Sequence, residues 1–298
     1  MPKTTAVITL NSAHEDTAKK TSSFREIIKR LMGSQSARIG LVILIIYILM
    51  AILADVIAPY AYDFMSTDYL QAPSLSHLFG TDAMGRDLLS RTIYGARYSL
   101  FLGIGATVIG VVIGMVIGCI AGYYGGLVDE VIMRVTDIIQ SIPSVILNMA
   151  LSVAFGAGLF NTMLALGFAI VASVCRLQRA AILNIRKMEY IDAASSVSCS
   201  DARIMFRHII PNAFSSILVF STMEIGHVIM SAASLSFLGL GIQPPTPEWG
   251  ALLADGRAYM TNAPYLCICP GIVLVFFVLA INLFGDGLRD ALDPKLKK

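Results

Sequence analysis

Six long apolar runs recur along this chain, at about Ile39–Ala58, Leu100–Ala121, Val131–Phe155, Leu159–Val174, Ile217–Leu240 and Leu266–Phe284. Each is near the roughly 20 residues that a helix needs to cross a bilayer, the fourth being the shortest. Hydrocarbon offers no partner to a backbone N–H or C=O, so such runs must close their hydrogen bonds within themselves, as helices. Only 14% of the residues are charged and 56% are hydrophobic, where a soluble domain carries roughly a quarter charged. The expected fold is all-α, with six transmembrane helices. No apolar stretch opens the chain, so no cleavable signal peptide is expected, and the first span is expected to act as its own insertion signal.

Orientation follows from where Lys and Arg fall. The segment before the first span carries Lys3, Lys19, Lys20, Arg25, Lys29, Arg30 and Arg38. The stretch between the fourth and fifth spans carries Arg176, Arg179, Arg186, Lys187, Arg203 and Arg207, and the C-terminal end Arg289, Lys295, Lys297 and Lys298. The opposite side has only Arg86, Arg91, Arg97 and Arg257. Basic residues stay in the cytoplasm, so both termini and the fourth-to-fifth connection are expected there. The predicted organisation is a cytoplasmic tail (1–38), a first span (39–58), an external loop (59–99), a five-helix core (100–285) containing a cytoplasmic loop (176–212), and a cytoplasmic tail (286–298). The basic residues are topology determinants and contacts to lipid headgroups; no nucleic-acid partner is expected.

Within the cytoplasmic loop, Glu189–Asn212 (EYIDAASSVSCSDARIMFRHIIPN) reads as structure. Asp192, Ala193 and Ala194 are helix-compatible and present small side chains to an approaching surface. Ile204, Phe206, Ile209 and Ile210 supply apolar contacts, and Pro211 is expected to stop the element. This pattern resembles the EAA loop of ABC-importer permeases, with Asp192 in place of the motif Glu, Ser198 in place of its Gly, and the spacing to Pro211 kept. The resemblance implies that Tyr190, Asp192, Ala193, Ala194, Ser198, Arg207, His208 and Pro211 belong to a coupling helix that docks on an ATP-hydrolysing subunit.

Three further segments carry the same resemblance. They are His77–Leu100, with its GTD, GRD and YGAR elements; Ser236–Gly250; and Asn282–Pro294, with its GDGLRDALDP ending. Together they resemble the C-type permease of the dipeptide/oligopeptide/nickel subfamily. The implied fold is that of a type I ABC-importer permease in a bacterial cytoplasmic membrane. The implied partners are a second, B-type permease, two ATP-binding-cassette domains and an extracytoplasmic substrate-binding protein. The implied cargo is a di- or oligopeptide, with a nickel chelate as the rival.

Other features are read from their chemistry. Gly110, Gly114, Gly118 and Gly122 repeat every four residues and make a smooth helix face, suited to a partner permease or to packing within the subunit. Pro143, inside the third run, can kink it, either for gating or as a static bend. Glu224 and His227 are three apart and share a helix face, a possible lining of the translocation path or a packing contact. Asp82, Arg86, Asp87 and Arg91 form an alternating cluster, either a self-satisfied network or a docking surface. Trp249 and Tyr259 suit an interfacial belt. The five cysteines are expected to be small apolar fillers.

The sequence has no G-x-x-x-x-G-K-[ST], H-E-x-x-H or G-x-S-x-G. No catalytic, cofactor or metal residue is therefore expected, and ATP is expected to be bound by partner subunits. A self-sufficient secondary transporter or channel is the alternative class, and it leaves the structured basic loop unexplained.

Overall fold

The apolar runs fold as helices that overshoot their ends. The computed structural model describes residues 26–196 and 199–292, the side chains of 192–195 and 202 excepted. Ser198, the basic residues up to Arg25 and those from Lys295 onward lie outside the described residues. In chain order the elements are α1 (26–33), α2 (Gln35–Ile52), α3 (Ala54–Ile57), α4 (Leu88–Tyr124), α5 (Gly126–Ser141), α6 (Ser144–Phe155) and α7 (Leu159–Ile185). Then come α8 (Glu189–Ser196), α9 (Asp201–Ile204), a π-helical turn (Met205–Ile209), α10 (Ile210–Phe237), α11 (Trp249–Gly256), a short 3-10 turn (Arg257–Tyr259) and α12 (Tyr265–Leu292).

Among the described residues, five helices are long and apolar enough to cross a membrane unaided. The sixth span exists only as the pair α5 and α6, which meet at 96° across Ile142 and Pro143. The expected kink at Pro143 is thus a full break. Proline lacks the N–H that would continue the ladder and forces the preceding residue out of the α region. Ile142 accordingly sits extended at ψ 127°, and the chain restarts at Ser144.

Several predicted boundaries move for identifiable reasons. Helix begins before residue 39, because Ser34 caps α2 by accepting a hydrogen bond from the Ala37 amide at 3.4 Å. The first span then breaks at Leu53, where the Arg97 guanidinium takes the Ala51 carbonyl at 3.0 Å and reaches Asp55 at 3.1 Å. α4 starts well inside the predicted external loop, since Asp87 caps it through the Ser90 amide at 2.7 Å. α7 and α12 run on into the predicted 176–212 loop and 286–298 tail. A helix gains a bond per added residue whether or not its surroundings are apolar, so hydropathy underestimates its length.

Pro211 starts an element rather than stopping one: it lies in the first turn of α10. Just before it, the Ile210 amide bonds to the Met205 carbonyl, five residues back. That wider π register precedes a residue with no amide to donate.

The glycine stripe packs within the subunit. A Cβ at Gly114 would sit 2.6 Å from Val174 Cβ, and one at Gly122 3.0 Å from Ile182 Cβ, so α4 and α7 lie backbone against backbone. A second core joins α2, α11 and α12. Trp249 is fully buried there, against Tyr47 and Phe277 at ring separations of 5.7 and 5.6 Å, and its indole N–H donates to the Thr92 carbonyl at 3.0 Å. Trp249 is therefore a core residue, not part of an interfacial belt: its N–H has a protein partner and needs no headgroup.

Candidate functional site

The Glu189–Asn212 segment is held on the bundle by isoleucines. Ile191, Ile204 and Ile209 are buried with Ile182, Ile185 and Cys119, at the ends of α7 and α4. Tyr123, near the end of α4, donates its hydroxyl proton to Asp201 at 2.7 Å. Asn212 donates to the Tyr190 hydroxyl at 3.2 Å and to the His208 carbonyl at 2.6 Å, bridging α8 to the π turn.

The opposite face is open. Tyr190, Arg207 and Pro211 are exposed and His208 is half-buried. Phe206 does not supply the internal contact expected of it: it is 66% exposed, because the π turn directs Ile204 and Ile209 inward and leaves residue 206 outward. Asp192, Ala193 and Ala194 fall on α8.

At membrane depth, Glu224 and His227 line a cavity of about 380 Å³ between α6, α7 and α10. Ser144, Asn148, Ser173 and Ser231 complete its polar lining. Glu224 Oε2 and His227 Nδ1 are 3.8 Å apart, an ion-pair separation too long for a hydrogen bond. Asn148 is buried, and its side-chain oxygen has no hydrogen-bond partner. Sequence reasoning found Glu224 and His227 and missed Asn148. The available signal was a carboxamide in the middle of an apolar run, five residues after the helix-breaking Pro143.

The charge cluster at the predicted external end is a buried network centred on Asp82, in which Arg91 Nε and Nη2 are left without a hydrogen-bond partner. Asp82 accepts from Arg86 Nε at 2.7 Å, from Arg91 Nη1 at 2.5 Å and from the amides of Met84 and Arg86 at 2.8 and 2.9 Å. Asp87 caps α4 and meets His77 Nδ1 at 2.9 Å. Gly85 turns this loop at φ +73°, and Gly80 at φ +81°, conformations that explain the glycines of the GTD and GRD elements. Burial pushes the Asp255 carboxyl above its ordinary value, and the neighbouring Arg91 guanidinium opposes that rise.

Glu248 was not singled out by sequence reasoning. It is fully buried, caps α11 through the Ala251 amide at 2.9 Å, and accepts from the hydroxyls of Ser99 at 3.1 Å and Ser236 at 3.4 Å. Burial pushes its carboxyl up, and those three donors together with the Gly250 amide pull it part of the way back.

A bundle of membrane-length helices with a basic segment packed on one end and a polar cavity between spans has the layout of a multi-pass membrane protein. Residues 114–298 match the family of binding-protein-dependent transport system inner membrane components, and residues 22–73 match the N-terminal transmembrane domain of oligopeptide transport permease C. The chain belongs to this family: it is a multi-pass inner-membrane permease of an ABC importer in bacteria. It is 47% identical over 276 residues to the glutathione transport system permease protein GsiD of Shigella flexneri serotype 5b, covering 92% of this chain and 91% of that one. The GsiD of Escherichia coli strain 536 is 45% identical with the same coverage. In fold it is similar to a chain of the MetNI methionine ABC transporter in an inward-facing conformation, with TM-score 0.56 at 19% identity, over 69% of this chain and 98% of that one.

Proposed function

We propose that this permease moves short peptides of the glutathione class inward, and that the Glu189–Asn212 segment couples the movement to ATP hydrolysed by separate subunits. The near-full-length similarity to glutathione permeases carries the cargo reading. The coupling reading is supported by a segment that is apolar toward its own bundle and open on its other face. Such a segment moves with α4 and α7 when a docked partner moves it.

The working unit is two permeases, two ATP-binding-cassette domains and an extracytoplasmic binding protein. Arg176, Arg179, Arg186, Lys187, Arg203 and Arg207 put the coupling segment in the cytoplasm, the side that holds ATP. The chain has no P-loop, so its own contribution is a set of helices that alternate between two packings. The α6–α7–α10 cavity, with Glu224 and His227, is the stretch of the translocation path that this subunit lines.

The test is a mild-detergent pull-down of tagged chain from its native membrane, read by mass spectrometry, followed by uptake of labelled glutathione into cells with and without the chain. Co-purification of a second permease and P-loop ATPases, with uptake that depends on the chain, is the expected result. Recovery of the chain alone overturns the coupling reading. Unchanged glutathione and di- or tripeptide uptake overturns the cargo.

A further inference from the structure

Glu224 is an acceptor with a single basic neighbour, at ion-pair distance, and lone pairs to spare. Its carboxylate sits near the middle of the Met205–Phe237 span, and the nearest basic atom, His227 Nδ1, is 3.8 Å away. The Asn148 side-chain oxygen, on the facing helix α6, is buried and has no hydrogen-bond partner. Both line the same cavity, and the other polar lining is serine hydroxyl. A carboxylate and an orphaned carbonyl at membrane depth are costly unless a donor, preferably a cation, meets them. Lipid tails cannot supply one, so this wall is not a lipid-facing surface.

Resting on the path assignment proposed above, the geometry points to a recognition site within the permease for the free α-ammonium group of a peptide cargo, with Glu224 as its counter-ion and Asn148 as the second acceptor. Three observations narrow the ligand to this chemistry. Both groups accept and have lone pairs to spare, so the ligand must donate. Among the described residues no third His, Cys, Asp or Glu joins the pair, so the ligand set of a transition-metal site is lacking, and the ammonium end of a peptide is the cation the proposed cargo itself brings. The cavity, at about 380 Å³, lies in the range of roughly 300–1,000 Å³ typical of small-molecule sites and accommodates the amino end of a short peptide. An ammonium has three donors, which suits a carboxylate and a carbonyl on two facing helices. His227, 67% exposed at its side chain, stands at the rim, where the peptide chain would leave the site.

The consequence is selection at two levels. The path would discriminate peptides with a free amino end from blocked ones, independently of any binding protein.

The test uses the complex purified from its native membrane in lipid nanodiscs, without the binding protein. The probes are labelled glutathione and labelled trialanine, each compared with its N-acetyl derivative. The expected result is saturable binding of a free peptide, weaker by about tenfold or more for its acetylated form, as expected for a lost charge-assisted bond. Glu224→Gln should weaken the free peptide to the acetylated level, and Asn148→Leu by a smaller factor. No saturable binding, or equal binding of free and acetylated peptides, overturns the inference. The wild-type comparison decides even where a variant does not assemble. Unaltered free-peptide binding by an assembled Glu224→Gln complex also overturns it and leaves the partner permease as what fills the cavity. A preparation without ATPase subunits would count against the coupling reading instead, a separate readout from peptide binding.

Discussion

The Glu248 carboxylate accepts a hydrogen bond from the Ser99 hydroxyl at 3.1 Å, across 149 residues of sequence, and joins the start of α11 to the long helix α4. The Trp249 amide in turn donates to the same Ser99 oxygen at 3.2 Å. One buried side chain thus caps a helix and fixes where that helix sits.

Replacing Glu248 with Ala should cost about 3 kcal/mol or more, because it removes a cap and strands the Ser99 and Ser236 hydroxyls and the Ala251 amide in a buried place. Glu248→Gln keeps the shape and some of the bonds and should cost less. Heating detergent-solubilised protein and measuring the fraction that stays monodisperse checks the order.

The same residue gives a pH dependence. Burial raises the Glu248 carboxyl above its ordinary value in the folded protein, so the native state holds that proton more tightly than the unfolded chain does. The resulting stabilisation is fully present below the unfolded value of about 4.3, and it is lost as pH rises through the raised folded value. The melting temperature of the wild type relative to Glu248→Gln should therefore fall across that window and level off above it. A difference that stays constant with pH contradicts this assignment.

Asp82→Asn should unsettle the whole 59–87 segment. Arg91 is 1% exposed and would keep its charge after losing its closest carboxylate. Breaking one side of a buried pair costs about 3–5 kcal/mol, whereas removing both sides costs much less. The double replacement Asp82→Asn with Arg91→Met should recover part of the lost thermal stability.

Gly114→Val should destabilise by about 1–3 kcal/mol or more, since the new side chain meets Val174 on a helix that has no slack to move. Gly126, the first residue of α5, is the comparison position: an added Cβ there meets nothing within 4 Å, and its φ of +55° makes strain, not crowding, the cost. Yields of folded protein after extraction distinguish the two.

Ala194→Trp should abolish peptide uptake while leaving membrane insertion and the partner permease in place, because the coupling role proposed for α8 rests on small residues there and an indole would hold a docked subunit away. Uptake combined with quantification of co-purified ATPase subunits checks it. Normal uptake in this variant contradicts the coupling assignment.

The sequence by itself determined the membrane helices, their order and the family. Apolar runs of span length leave the backbone no choice but helix, and the EAA-like, GTD–GRD and GDGLRDALDP segments are local patterns legible without contacts. Helix ends were less legible: α7 and α12 continue past the hydrophobic signal because helix propagation does not require lipid. Tertiary structure alone decided what meets what. The glycine stripe of α4 reads the same for a partner subunit as for α7, and only the approach of Val174 and Ile182 assigned it. Pro143 could have kinked a helix gently, yet it ends α5 and lets α6 leave at 96°. Trp249, placed by composition at a membrane interface, is in the core because Thr92 offers its indole a carbonyl. Glu224, His227 and Asn148 come from two different spans, and their shared cavity depends on how α6 and α10 pack. Hydrogen-bond periodicity is local and so is written in the chain order, whereas packing and the pairing of buried polar groups join residues far apart and exist only once the chain has folded.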